Sequence, residues 1–116
     1  MFYIGFSTQS HKISARLFCK KFRHCAPLYI GTKKCILYQF VSLKKITPIP
    51  IRRRDIKILS NHSWIFVKYK CKPNLKHALQ AKNLTCVQFT KSVCNIKNKS
   101  IQTPDALFRY INNKRI

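Results

Sequence analysis

The 116-residue chain contains no glutamate and only two aspartates, Asp55 and Asp105. Against these stand 24 lysines and arginines, giving a formal net charge of +22 at pH 7. An AT-rich genome inflates lysine, isoleucine and asparagine through codon usage, but it raises glutamate as well, so codon bias does not account for the sign. A field of this sign attracts polyanions and opposes compaction by self-repulsion. Glycine is nearly as scarce, with Gly5 and Gly31 alone. Many-turned β-sandwiches thereby lose support, and no GxGxxG or Walker-type phosphate loop exists. The six cysteines form no CxxC pair, and HxxxH and HExxH are absent. A structural zinc site would therefore need scattered ligands, and no metal or cofactor is expected. No stretch has the length and uninterrupted apolarity of a membrane span. MFYIGFSTQSHK also lacks the basic start, apolar stretch and small-residue cleavage site of a secretory signal. The expectation is a cytoplasmic protein with reduced thiols, virion association being an alternative.

Hydrophobic residues, by contrast, make up 46% of the chain and aromatics 12%, far too apolar for a disordered basic tail. The length suits one domain over residues 1–116. Basic residues are spread in short groups such as Arg52-Arg53-Arg54 and Lys97/Lys99, which predicts a generally basic surface rather than one targeting patch.

Periodicity predicts a mixed α+β fold, with neither an internal repeat nor a low-complexity segment. FYIGF (2–6) reads as a short strand before a polar Ser7–Ser10 cap. KISARLFCKKF (12–22) carries Ile13, Leu17, Phe18 and Phe22 at helical spacing. HCAPLYI (24–30) and CILYQFVSL (35–43) make a hairpin about the Gly31–Lys34 turn, Pro27 favouring an edge or a bulge. Pro48 and Pro50 exclude Thr47–Pro50 from a central strand, and Arg52–Asp55 reads as a polar link. SWIFVKYKC (63–71) is the strongest strand signal, its apolar run predicting burial on both faces near one end. Pro73 ends it, and Leu75–Ala81 forms a short helix or turn. Thr85 is a natural N-cap for a helix from Cys86 to about Asn95. A last helix starts near Thr103, with Pro104 at its first position and Asp105 near its positive end, burying Leu107, Phe108 and Ile111.

One constellation carries chemistry. A thiol hydrolase needs a thiolate, an imidazole to move the proton and a polar group to orient that imidazole. Cys86 at a helix start feels the dipole and the surrounding cations, both of which lower a thiol pKa. His24 begins a strand, and Gln39 on the paired strand lies across the hairpin, within reach of the far ring nitrogen. The Cys86 backbone N–H supplies an oxyanion donor. Cys19, Cys25, Cys35, Cys71 and Cys94 read as small core residues.

The order YIGFST…ISARLFCKKF, RHCAPLYI, LYQF, LTCVQFTKSVCNI and IQTPDALFRYI resembles the circularly permuted, NlpC-like branch of the papain-like cysteine peptidases and amidases. It does so by pattern over about the whole chain, with histidine before cysteine as in the permuted order. The resemblance implies a small antiparallel sheet packed against helices. It also implies Cys86 as nucleophile, His24 as general base and acid, Gln39 as orienting residue, and a peptide, isopeptide or cell-wall amide as substrate. The chain departs from the pattern at Arg23 and Cys25, which flank the histidine, and at Cys94-Asn95-Ile96, where glycine is usual. From a different class comes a basic nucleic-acid-binding or virion-associated protein on an inactive papain-like scaffold. FVKYKCK and FRYINNKR alternate aromatic and basic residues, as base stacking and phosphate tracking require, although the same pattern suits core aromatics with solvated neighbours. In either class an anionic polymer, cell wall or nucleic acid, is a candidate partner.

Overall fold

The computed structural model describes residues 2–8, 22, 24–42, 45–80 and 85–113. They form a mixed α+β fold around a five-stranded antiparallel sheet of order β4-β3-β2-β1-β5. The strands are β1 (Phe2–Ser7), β2 (His24–Ile30), β3 (Cys35–Ser42), β4 (Lys45–Ile51) and β5 (Trp64–Lys68). Four helices accompany them among the described residues: α1 (Arg53–Ser60), α2 (Leu75–Gln80), α3 (Cys86–Cys94) and α4 (Pro104–Asn113). The helix expected over 12–22 lies outside the described residues, apart from Phe22, which is buried.

Successive side chains of a strand point to opposite faces, and here each face has its own core. Ile4, Phe6, Cys25, Tyr38 and Phe40 join Val87, Phe89 and Val93 of α3 and Leu107 and Ile111 of α4 in the larger cluster. Ala26, Leu28, Cys35 and Leu37 form a smaller one, covered by Ile56 and Leu59 of α1 and by Trp64 and Phe66 of β5.

The expected hairpin forms, closed by a hydrogen bond from the Gly31 N–H to the Lys34 carbonyl (2.9 Å). Its first strand, however, is the centre of the sheet and not an edge, despite Pro27. Pro27 pairs with Ile4 of β1, and the register with β3 starts one residue later at Leu28↔Leu37, where donors resume. The 47–50 segment is part of an edge strand. Pro48 and Pro50 are two residues apart and so turn the same way, which lets both missing donors face solvent.

Arg52–Asp55 is not a link: it opens α1. The Asp55 carboxylate accepts the Arg52 N–H (2.8 Å) and lies in the positive first turn. Charge masked this start, because three arginines hide a capping pattern that one aspartate completes. Burial on both faces of β5 is also not found. As the second edge strand it buries only Val67, while Ile65 is 42% exposed. The last two helices follow their signals. Thr85 Oγ1 accepts the Gln88 N–H (3.1 Å), and Thr103 Oγ1 accepts the Ala106 N–H (3.2 Å). Helix α3 stops at Asn95 in the left-handed region (φ 57°, ψ 38°), a conformation asparagine tolerates almost as glycine does. That is the physical answer to the missing glycine.

Candidate active site

Helix α3 packs across β2 and β3, which brings its first residue, Cys86, to the start of β2. His24 is the first residue of that strand. Its Nε2 lies 2.6 Å from Gln39 Oε1 on β3, and its side chain also hydrogen-bonds Cys86. The three residues singled out in the sequence are thus brought together. Gln39 lies two residues beyond Leu37, the partner of Leu28 at the end of the β2–β3 pairing, and so on the same face as Leu37 and toward the His24 end of β2. With the Gln39 carbonyl oxygen accepting, Nε2 carries the hydrogen, and Nδ1 is left as the basic nitrogen that serves the thiol.

Two further residues belong to this site. Cys25 is buried in the larger core, and its Sγ lies 3.9 Å from Cys86 Sγ, the Cys25 thiol donating. The Cys25 backbone N–H is directed at Cys86 as well. Thr90 completes the packing: its hydroxyl donates to the Cys86 carbonyl (2.8 Å) and its Oγ1 lies 3.5 Å from Cys25 Sγ. The second residue is Trp64, whose ring meets His24 edge-on with centroids 5.9 Å apart.

Trp64 reaches His24 across an intervening strand, since Ser7 of β1 is the partner of both. Gly5 makes that reach feasible. A Cβ there would come within 2.7 Å of the Phe66 ring and 2.9 Å of the Trp64 ring, which stack on each other with centroids 5.6 Å apart and planes 9° from parallel. The absent side chain lets two aromatics lie over β1 and wall the imidazole on one side. At the other end, Asp105 in the first turn of α4 accepts the Phe22 N–H (3.0 Å), fixing the backbone two residues before His24.

The electrostatics favour a Cys86 thiolate. Its pKa lies well below the usual thiol value. The hydrogen bond from the Cys25 thiol is the largest cause, burial opposes it, and the hydrogen bond and charge of His24 add to the lowering. The helix start acts in the same direction, since the first backbone N–H groups have no intrahelical acceptor. Cys25 moves the opposite way, pushed well above the usual value by burial first and then by the neighbouring sulfur.

Sequence reasoning missed Cys25 and Trp64. Cys25 read as core, which it also is, and its only signal was adjacency to His24 where the resembled pattern has an aliphatic residue. Trp64 was legible as a strand residue, but its contact with His24 needs the β2-β1-β5 order. A second thiol pair stands apart: Cys71 is lowered to about 7 by a hydrogen bond with Cys94, and Cys94 is raised by the same bond and by burial.

The aromatics of the two mixed basic stretches are occupied. Phe66 stacks on Trp64, Tyr69 and Tyr110 pack on the larger core, and Phe108 meets Phe6 and Phe22. Lys68, Lys70, Lys72 and Arg109 are exposed. Among the described residues no three His, Cys, Asp or Glu side chains gather as a metal site, and no helix is long and apolar enough to cross a membrane. Compared with known proteins, the chain matches no family model, and no curated protein or solved structure is significantly similar to it.

Proposed function

We propose that this protein is a cysteine hydrolase that cleaves an amide bond, a peptidase or amidase of the circularly permuted, NlpC-like papain-like kind. The observation that carries the reading is a single chain of contacts: Gln39 Oε1 on His24 Nε2 at 2.6 Å, and His24 on a sulfur at the first residue of a capped helix. Cys86 thiolate attacks the amide carbonyl carbon, and the Cys86 N–H faces the developing oxyanion. His24, which took the Cys86 thiol proton onto Nδ1 as the thiolate formed, then gives that proton to the departing amine, leaving a thioester on Cys86. Water, deprotonated by His24, attacks that thioester and releases the carboxylic acid and the free thiol, so one amide and one water become an acid and an amine. Gln39 holds the ring so that the same nitrogen serves both steps. Amides of peptide, isopeptide or cell-wall type are the substrates proposed, and the basic surface suits an anionic one.

The test is a panel of such amides, read by amine release and by intact mass for an acyl group on the protein. Amine release with a thioester on Cys86, lost in Cys86→Ala and reduced in His24→Ala, supports the reading. Amine release unchanged in Cys86→Ala overturns it.

The net charge of +22 favours a second reading, a polyanion-binding protein on an inactive scaffold. Since the aromatics of the basic stretches are half-buried and already packed on other rings or on the core, such binding rests on charge rather than base stacking. It would show a steep salt dependence indifferent to Cys86→Ala and to base sequence.

A further inference from the structure

We infer that Cys86 and Cys25 form a peroxide-reactive thiol pair, in which Cys86 is the oxidised sulfur and Cys25 the resolving one. The inference goes beyond amide cleavage and stands without it, because it requires only a reactive Cys86.

Three observations carry it. The two sulfurs are 3.9 Å apart, so a disulfide of about 2.05 Å needs an approach of about 1.9 Å. This approach falls on Cys86, the first residue of α3. The pair is also unequal in burial: Cys86 is half-buried, while Cys25 is 1% exposed in the central strand. Cys86 is therefore the less shielded sulfur, and Cys25 Sγ faces Cys86 Sγ and Thr90 Oγ1. Finally, both the thiol and the N–H of Cys25 point at the Cys86 sulfur, so the resolving group is already aimed. Burial that keeps Cys25 protonated protects it from direct oxidation.

The chemistry balances. Cys86 thiolate attacks one oxygen of a hydroperoxide, the O–O bond breaks, and hydroxide (or alkoxide) leaves and takes a proton. Cys86 is now a sulfenic acid. Cys25 loses its proton and attacks the Cys86 sulfur, the S–O bond breaks, and the oxygen leaves as water. Two thiols and one hydrogen peroxide become one disulfide and two waters. A dithiol reductant reverses the product by exchange. The modification closes the Cys86 sulfur reversibly and spares it the further oxidation to sulfinic acid.

The experiment treats the full chain, carrying Cys71→Ser so that the other thiol pair does not compete, with hydrogen peroxide near one equivalent. Non-reducing digestion and mass spectrometry follow. The expected result is a Cys25–Cys86 linked peptide, with iodoacetamide labelling of Cys86 lost and then restored by dithiothreitol. In Cys25→Ser the link is absent, and Cys86 is captured by dimedone as sulfenic acid or advances to sulfinic acid. Cys86 found as sulfenic or sulfinic acid in the chain that retains Cys25, without the link, overturns the inference. So does a Cys86 that stays reduced while other thiols oxidise. Both outcomes are read in the chain that retains Cys25, so they hold even if Cys25→Ser folds poorly. Amine release from the amide panel is a separate readout, so failure of the hydrolase reading is distinguishable from failure of this one.

Discussion

Replacing His24 by alanine removes the imidazole that hydrogen-bonds Cys86 and supplies part of the charge that holds its thiol down. A hydrogen bond to a charged group contributes about 1.5–3 kcal/mol. At 1.36 kcal/mol per tenfold, the Cys86 thiolate population well below its midpoint falls roughly 10- to 100-fold. The thiolate that remains is more basic, and nucleophilicity rises with basicity at a slope of about 0.4–0.5, which returns roughly 2.5- to 10-fold. Net alkylation of Cys86 at acidic pH is therefore expected to slow by about 3- to 10-fold. At alkaline pH, where both proteins are fully ionised, the sign reverses: the more basic thiolate of the variant reacts faster by the returned factor. The sign follows from an acid whose folded pKa is depressed, since removing the cause moves its midpoint up toward the usual thiol value. The two rate–pH curves must cross. Iodoacetamide labelling from pH 5 to 10, resolved by peptide mass spectrometry for each thiol, reads this directly, with circular dichroism confirming that both proteins stay folded. Parallel curves, or a variant faster at every pH, would refute the placement of His24 as the group that activates Cys86.

Gln39→Leu removes the acceptor of the Nε2 hydrogen, so Cys86 labelling at neutral pH falls, though less than in His24→Ala, and Gln39→Glu, which keeps an acceptor, recovers part of it; the same labelling assay decides. Gly5→Ala drives a methyl into the Trp64–Phe66 stack and is expected to cost about 1–3 kcal/mol of stability, read as a lower urea midpoint, and to weaken the Trp64 contact with His24. Labelling against pH is expected to show Cys71 titrating with a midpoint of about 7, and Cys94→Ala, by removing the hydrogen bond that lowers it, to move that midpoint up toward 9.0. Asn95→Ala places a side chain without asparagine's tolerance in the left-handed region and destabilises by about 1–2 kcal/mol, whereas Asn95→Gly does not, as thermal or chemical unfolding will show.

Local information by itself determined much of this protein. Alternating bulky residues set strands over 2–6, 24–30 and 35–43, and Gly31–Lys34 set the turn between two of them. Thr85 and Thr103 marked the starts of α3 and α4 because an N-cap is a contact between neighbours three residues apart. That Cys86 opens a helix and His24 opens a strand followed from the same short-range chemistry, as did Gln39 lying across a hairpin from the histidine. Only the tertiary structure decided the rest. The strand order puts β1 between β2 and β5, a pairing across roughly sixty residues that no local pattern encodes, and through it Trp64 meets His24 over the space that Gly5 leaves. The same order makes the proline-bearing β2 central and the strongly apolar β5 an edge, against what each composition suggests alone. Strand alternation separates Cys25 from His24, but which helix lands on the Cys25 face is set by how two distant apolar surfaces fit. That fit, between β2 and α3, is what placed a second sulfur 3.9 Å from Cys86.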